Sequence, residues 1–218
     1  MSDVFSPNID RYLKTAGLLL AGLGVIVVAG IAYYATPKYT RVGYQPVQPI
    51  AFSHALHAGQ LGMDCTYCHQ HVGASPHANI PHVRTCMNCH GEAFGNIKSS
   101  SAALAPLREA WESGNPVPWI QVHRLPDYAY FNHAVHVRRG VGCVSCHGKV
   151  NEMEVVRHVE PLSMAWCLDC HRDPAPNLRP LRSITDADWV GSFKDDGAAR
   201  LLEEAGINPP TSCSGCHR

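Results

Sequence analysis

The sequence has little charge and no excess of either sign. Only 17% of its 218 residues are charged, and the 18 Lys and Arg residues balance 18 Asp and Glu residues, so the formal net charge at pH 7 is zero. A surface that binds nucleic acid normally carries a net positive charge. The composition therefore predicts no nucleic-acid partner.

Aromatic side chains are also scarce, at 8% of the residues, whereas 16 Pro and 18 Gly are spread along the chain. Pro and Gly interrupt regular elements and mark turns and loops. The composition favours a mainly α and irregular, loop-rich fold with short helices over a sheet protein.

No cysteine lies outside one repeated motif, Cys-x-x-Cys-His, which occurs five times. In chain order we call the copies motif 1 (residues 65–69), motif 2 (86–90), motif 3 (143–147), motif 4 (167–171) and motif 5 (213–217). Two cysteines at this spacing form thioethers to one porphyrin, and the histidine that follows ligates the iron. We expect five covalently bound haem c groups, attached through Cys65, Cys68, Cys86, Cys89, Cys143, Cys146, Cys167, Cys170, Cys213 and Cys216, with the proximal ligands His69, His90, His147, His171 and His217.

Two other uses of Cys-x-x-Cys pairs remain alternatives. Two such pairs can hold zinc as a four-thiolate site, and a single pair can act as a redox disulfide. Neither requires a histidine directly after the second cysteine, and all five motifs have one. With five haems in a chain of this length, the haems themselves are expected to form the core.

The longest uncharged stretch lies near the amino terminus. Residues 15–37 carry no charged side chain and are long enough to cross a bilayer as a helix, after a polar segment at residues 1–14. The alternative is a cleaved signal peptide, whose apolar region is shorter and ends at a small-x-small site; Gly30-Ile-Ala32 is the acceptable match. The length favours an uncleaved membrane anchor.

Basic residues do not decide the orientation of this anchor, because two precede the segment and two follow it. The haem motifs decide it instead, since covalent c-type attachment takes place outside the cytoplasm. We expect a single-pass protein of the bacterial inner membrane with a cytoplasmic amino terminus (1–14) and its haem domain on the periplasmic or extracellular side.

A second pattern divides the rest of the chain into two similar modules. Phe52-Ser-His54-Ala-Leu-His57 precedes motifs 1 and 2, and Phe131-Asn-His133-Ala-Val-His136 precedes motifs 3 and 4. The predicted organisation is a linker (38–50), a first two-haem module (51–100), a helical connector (101–130), a second two-haem module (131–180) and a carboxy-terminal helix with motif 5 (181–218). Helices are predicted over 101–113, stopped by Gly114, and over 186–205.

The second axial ligands are expected among the remaining histidines and methionines. In each Phe-x-His-x-x-His turn the two imidazoles share one helical face, so His54, His57, His133 and His136 are the four preferred distal ligands. For the fifth position we rank Met153 first, then His123, followed by His158 and Met164. The alternative for each is a surface histidine or a core methionine; His71, His77 and His82 are interpreted as surface residues or contacts of haem propionates.

The anchor, the two modules and the terminal motif together resemble the pentahaem cytochrome c subunit of alternative complex III. The resemblance covers nearly the whole chain. Its most specific stretches are Thr85-Cys-Met-Asn-Cys-His90, Val122-His-Arg-Leu-Pro126, Met164-Ala-Trp-Cys-Leu-Asp-Cys-His171 and the carboxy-terminal Cys-x-x-Cys-His-Arg, with Ala165 as a mild departure from the glycine usual there. The modules are similar to class III multihaem cytochromes.

The resemblance implies a place in a quinol-oxidising complex. Its expected partners are an iron–sulfur subunit, polytopic quinol-binding membrane subunits and a monohaem cytochrome c subunit. Electrons would pass from iron–sulfur clusters through this chain to a soluble cytochrome c or another acceptor. On this interpretation the chain is an electron-transfer subunit without a substrate pocket.

Two other functions remain open. A membrane-anchored quinol dehydrogenase that feeds a periplasmic reductase needs an open haem near the membrane and a proton acceptor, for which Asp64 is the candidate; the alternative for Asp64 is a helix start or surface residue. A multihaem reductase needs a five-coordinate iron among acid–base residues. Asp195, Asp196, Glu203 and Glu204 are interpreted as solvated helix faces instead.

Overall fold

The computed structural model describes residues 8–35, 41–189 and 197–217. The chain divides into two compact units, Met1–Arg41 and Val42–Arg218. Residues 36 and 37 of the predicted membrane segment and residues 195 and 196 lie outside the described part.

The first unit contains one helix, α1 (Ile9–Tyr34). It begins six residues before the predicted apolar segment, because the polar turn ahead of it is also helical and is bridged by an ion pair between Lys14 and Asp10, with Nζ and Oδ2 2.7 Å apart. None of its residues is buried, and by length and composition it is able to cross a membrane. This is the candidate membrane anchor.

The second unit consists of short helices joined by irregular segments. Its α-helices are α2 (Cys65–Cys68), α3 (Val83–His90), α4 (Ala105–Ser113), α5 (His133–Arg138), α6 (Val144–His147), α7 (Met164–Arg172), α8 (Gly197–Glu204) and α9 (Cys213–Cys216). A π-helix covers Ala55–Gln60, and 3₁₀ turns cover Ala102–Leu104, Val150–Glu152, Ala175–Asn177 and Leu181–Ser183. The described residues form no strand; a single bridge pairs Val141 with Leu178. The mainly α and irregular fold class is confirmed.

Local capping places several motifs on these short helices. The side chain of Asp64 accepts a hydrogen bond from Thr66 N at 2.8 Å at the start of α2. His82 Nδ1 accepts one from Arg84 N at 3.1 Å at the start of α3. Ser163 Oγ accepts one from Trp166 N at 3.3 Å at the start of α7. These caps satisfy backbone donors that have no partner within the helix.

The apolar interior of the second unit is small. Among the described residues ten apolar side chains are buried, and six of them form one cluster where α3 packs against α4: Ile50, Val83, Met87, Leu107, Ala110 and Val117. Cys86 of motif 2 packs against this cluster. Such a limited aliphatic core agrees with the expectation that cofactors fill much of the interior.

The carboxy-terminal helix is shorter than predicted. Residues 186–189 form a turn instead, in which the Asp186 side chain accepts a hydrogen bond from Asp188 N at 3.0 Å. Aspartate competes with helix formation in this way because its short side chain bonds to nearby backbone amides. The helix prediction is therefore wrong for 186–189, and the helix that the structure describes is α8.

Candidate haem sites

Four of the five motif histidines are held by the same kind of hydrogen bond. Their Nδ1 atoms lie close to backbone carbonyl oxygens: His69 to Asn79 at 2.8 Å, His90 to Ile97 at 2.6 Å, His171 to Pro210 at 2.7 Å and His217 to Tyr128 at 3.0 Å. A carbonyl oxygen only accepts, so Nδ1 carries the proton and Nε2 keeps its lone pair. This is the tautomer and orientation of a histidine that ligates a metal through Nε2.

Motif 3 is different, because its histidine contacts another histidine. His147 Nδ1 lies 3.4 Å from His123 Nε2, and the two rings meet edge to face with centroids 4.4 Å apart. Burial and neighbouring histidines lower the pKa of His147 to about 3 and that of His123 to about 4. Both imidazoles are therefore neutral near pH 7.

The two Phe-x-His-x-x-His segments have the same local structure. Phe52 meets His54 edge to face at 4.8 Å and stacks on His57 at 4.4 Å, and Phe131 makes the equivalent contacts with its two histidines at 4.7 and 4.5 Å. His57 and His136 each place Nδ1 2.8 Å from the carbonyl oxygen four residues earlier. The sequence repeat is therefore also a structural repeat, although a π-helix follows in one copy and an α-helix in the other.

Three histidines of these segments lie opposite motif histidines. The ring centroids are 6.3 Å apart for His57 and His90, 6.4 Å for His133 and His147, and 6.2 Å for His136 and His171. Two imidazoles that held one metal between them through bonds of about 2 Å would have ring centres about 6 Å apart. The described residues thus fit bis-histidine coordination at motifs 2, 3 and 4.

His54 holds the equivalent position for motif 1. Burial, followed by the charges of His69 and His57, lowers the pKa of His54 to about 4. Its Nδ1 is buried without a hydrogen-bond partner. By analogy with His133 and His147, the repeat favours a pairing of His54 with His69.

The candidates for the fifth distal position are spread over the second unit. Met153 is 7% exposed, and its carbonyl oxygen accepts a hydrogen bond from Ala55 N at 3.0 Å. His158 is 1% exposed and lies beside His123, with ring centroids 5.0 Å apart. Met164 is 61% exposed at the start of α7.

The ring of His217 lies beside Tyr128, with centroids 5.8 Å apart. Among the described residues no ring contact or hydrogen bond joins His217 to His123 or His158. His123 is instead placed at motif 3. Its contact with His147 depends on tertiary packing between segments 24 residues apart, so sequence spacing contained no sign of it.

Cysteines of different motifs lie close enough to shift one another's pKa, and these interactions show which motifs are neighbours. Burial raises the pKa of Cys68 in motif 1, and the thiol of Cys89 in motif 2 raises it further. Burial likewise raises the pKa of Cys86 in motif 2, and Cys68 raises it further, so motifs 1 and 2 are neighbours. A hydrogen bond with Cys143 lowers the pKa of Cys65 to about 7 and so joins motifs 1 and 3.

The pattern continues through the second module. Burial raises the pKa of Cys146 to about 12, with a further contribution from Cys170 and Cys167, which joins motifs 3 and 4. Burial and then Cys216 raise the pKa of Cys167, which joins motifs 4 and 5. These four relations connect the motifs in the spatial order 2, 1, 3, 4, 5.

The thiols are not gathered as a zinc site would require. All ten cysteines are free, and the described part of the chain contains no group of three or more His, Cys, Asp or Glu side chains arranged to hold a metal ion. A four-thiolate zinc site needs four sulfurs at one point. The arrangement instead suits separate cofactors that bring their own metal.

Asp64 caps a helix and does not face a site as a free carboxylate. Besides its bond to Thr66 N, it accepts a hydrogen bond from Thr185 Oγ1 at 2.6 Å. Burial raises the pKa of Asp64, but the hydrogen bonds from Thr185 and Thr66 together outweigh it and lower the value. The helix-start interpretation of Asp64 is therefore supported.

Comparison with known proteins agrees with this geometry. Residues 129–218 match the family model of cytochrome c7 and related cytochromes c. This part of the chain, which carries motifs 3 to 5, is thus similar to cytochrome c7 and related cytochromes c.

A curated relative extends the similarity. Over 153 residues the chain is 30% identical to the menaquinone reductase multihaem cytochrome c subunit of Nitratidesulfovibrio vulgaris (strain Hildenborough). The match covers 70% of this chain and spans about 64% of the relative's length. The chain is thus similar to a haem-carrying subunit of a quinone-linked enzyme.

Proposed function

We propose that this chain is a membrane-anchored c-type cytochrome with five covalently attached haems, and that it conducts electrons within a quinol-oxidising complex. The observation that carries the proposal is that motifs 2, 3 and 4 each have a second histidine whose ring centre lies 6.2 to 6.4 Å from that of the motif histidine. The interactions between thiols support a spatial order of the motifs of 2, 1, 3, 4, 5. An unbranched row of redox sites with two ends suits conduction between two partners.

The chain's residues have defined roles in this proposal. The ten motif cysteines attach the cofactors, and His69, His90, His147, His171 and His217 bind from one side. His54, His57, His133 and His136 bind motifs 1 to 4 from the other side, as supported by the ring separations and by the repeat. The Phe-x-His-x-x-His turns hold pairs of neighbouring sites at fixed spacing, because each turn serves two motifs.

Haem c supplies one-electron exchange between ferric and ferrous iron. A site with histidine on both sides has no open coordination position, so it suits electron transfer and not substrate binding. The protein's contribution is to orient each Nε2 through the Nδ1 hydrogen bond, to bury the imidazoles in their neutral form and to set each potential through its surroundings. Met153 remains our proposal for the fifth distal ligand.

The direction of electron flow and the partners rest on the resemblance to alternative complex III. We propose that electrons arrive from an iron–sulfur subunit, that polytopic membrane subunits oxidise quinol, and that a monohaem cytochrome c subunit follows. The name of the relative, a menaquinone reductase subunit, supports a quinone-linked role. Helix α1 would anchor the chain with its amino terminus in the cytoplasm and its haem domain on the periplasmic side.

A quinol dehydrogenase is the second candidate, and one observation favours it. Among the described residues His217 contacts the ring and carbonyl of Tyr128, and no histidine lies opposite it at the separation seen for motifs 2 to 4. An iron with an open position at motif 5 would suit reaction with a quinol.

Electron paramagnetic resonance of the oxidised, purified chain, integrated against a haem count, separates the two functions. We expect five haems per chain with every iron low-spin, because all distal positions are filled in a conduit. The variant His136→Ala calibrates the measurement, since it removes one ligand of motif 4 and should convert about one iron in five to high-spin. His71→Ala, at an exposed histidine, is the matched control and should leave every iron low-spin. A high-spin iron in the unaltered chain would contradict the proposal that the chain only conducts electrons, and it would favour the quinol dehydrogenase.

A further inference from the structure

Arg179 is a buried cation beside motif 3. It is 6% exposed, and among the described residues no other arginine or lysine is buried. Its backbone amide donates to Gly140 O at 2.8 Å, which fixes the residue against the segment that leads into the motif. Because the side chain is buried, its positive charge is held away from solvent.

The guanidinium packs directly on Gly142, the residue before Cys143. A Cβ atom added at Gly142 would overlap the side chain of Arg179, so glycine is needed for this approach. The charge acts on the motif itself. A hydrogen bond with Cys65 and burial raise the pKa of Cys143, and the positive charge of Arg179 opposes them.

Within the described part of the chain, Arg179 contacts neutral groups. One terminal nitrogen donates to the carbonyl oxygen of Asp186 at 2.8 Å, and the guanidinium carbon lies 5.1 Å from the ring centre of Trp189. Its Nε is buried with no hydrogen-bond partner. No ion pair within the described ranges includes Arg179. Among the described residues, therefore, no carboxylate neutralises this positive charge.

We propose that Arg179 is a fixed positive charge that raises the midpoint potential of the haem at motif 3. Ferric iron carries one more positive charge than ferrous iron, so a buried cation nearby disfavours the oxidised state. The effect is large where few water molecules screen the charges. Because Cys65 contacts Cys143, the haem at motif 1 feels the same charge at longer range. The inference rests on haem attachment at motif 3, as the proposed function requires.

The test is a spectroelectrochemical titration of the haem-loaded chain and its variants. In Arg179→Gln we expect the component that belongs to motif 3 to become harder to reduce, by at least about tenfold in the ferric to ferrous ratio at a fixed potential, equivalent to about 59 mV for one electron. Arg179→Lys keeps the charge and should retain most of the original value. Arg182→Gln, at an exposed arginine three residues away, is the matched control and should not shift the component.

A second variant keeps the test decisive if Arg179→Gln attaches fewer haems. Trp189→Glu places a carboxylate near the guanidinium and neutralises it while Arg179 stays in place, and it should lower the potential of the same component. In the titration curve, the component that belongs to the haem at motif 3 is identified as the one that disappears when Cys143 and Cys146 are both replaced by Ala.

Two results would overturn the inference: an unchanged titration in a fully loaded Arg179→Gln or Trp189→Glu chain, or equal shifts in the Gln and Lys variants, which would indicate packing and not charge. Either result leaves the proposed function intact if five low-spin haems are counted. Absence of haem from motif 3 in the unaltered chain would instead count against the proposed function.

Discussion

At the scale of single residues, the partner of each imidazole Nδ1 distinguishes one site from the others. The motif histidines His69, His90, His171 and His217 face backbone carbonyl oxygens, whereas His147 faces His123. When Nε2 of His147 binds iron, its Nδ1 donates to His123 Nε2. The donor strength of His147 then depends on a side chain, so it can be altered by mutation without touching a ligand.

Replacing His123 with Leu should raise the potential of the haem at motif 3. Loss of the acceptor makes His147 a poorer electron donor, which destabilises the ferric state. One hydrogen bond is worth about 1 kcal/mol net, or on the order of fivefold in the ferric to ferrous ratio. His123→Gln keeps an acceptor oxygen and should stay close to the original value in the same titration. Loss of a low-spin signal in His123→Leu would instead show that His123 is itself a ligand.

At the scale of elements, the connector helix α4 ends at a residue with left-handed backbone. Gly114 has a φ of 72°, and an added Cβ would meet no atom within 4 Å, so the backbone conformation is the only obstacle to a side chain. The replacement Gly114→Ala should lower the free energy of unfolding by about 1 kcal/mol. Chemical denaturation of the haem-loaded chain measures this change in the free energy of unfolding.

Gly73→Ala is the matched control for this prediction. A Cβ added at Gly73 would also meet open space, but the backbone of this residue is not left-handed. The replacement should change the stability little, or raise it slightly by restricting the unfolded chain. Equal losses in both variants would show that the backbone of Gly114 is not the cause.

At the scale of the whole molecule, the order 2, 1, 3, 4, 5 predicts how many neighbours each haem has. A haem at either end has one neighbour, and a haem in the row has two. Unit charges about 10 Å apart interact by about 1.7 kcal/mol at an effective dielectric constant of 20, so neighbouring potentials are coupled. Removing one haem should therefore shift one or two of the remaining components, depending on its place.

Two variants test this order. In one, both cysteines of motif 5 are replaced with Ala, and in the other, both cysteines of motif 1, so that each variant lacks one haem. Loss of the haem at motif 5 should strongly shift the midpoint potential of one other haem, that of motif 4. Loss of motif 1 should shift two, those of motifs 2 and 3. Redox titration with a haem count measures both. Two strong shifts on loss of motif 5 would contradict the linear order.

The sequence predicts more of the sites than of their arrangement. Covalent spacing predicts the five motifs, and the repeated Phe-x-His-x-x-His pattern predicts His54, His57, His133 and His136 as distal ligands, because in each case the chemistry is local. Of these four histidines, the structure places the rings of His57, His133 and His136 opposite motif histidines. The contact of His123 with His147 and the packing of Arg179 on Gly142 join segments far apart in sequence, so no periodicity marked them. The same reason explains the wrong helix prediction at 186–189: Asp186 uses its side chain for a turn and its carbonyl for Arg179.

The contact between Cys65 and Cys143 has a consequence for maturation. Before haem is attached, these thiols from different motifs share a hydrogen bond, which lowers the pKa of Cys65 to about 7 and so favours its thiolate form. With a two-electron oxidant, such as the disulfide of a thiol oxidoreductase, two sulfurs this close lose two electrons and their protons and form a disulfide. Such a crosslink would block two attachment sites at once, so productive assembly requires that the cysteines stay reduced, or that motif 1 receives its haem before motif 3 folds against it.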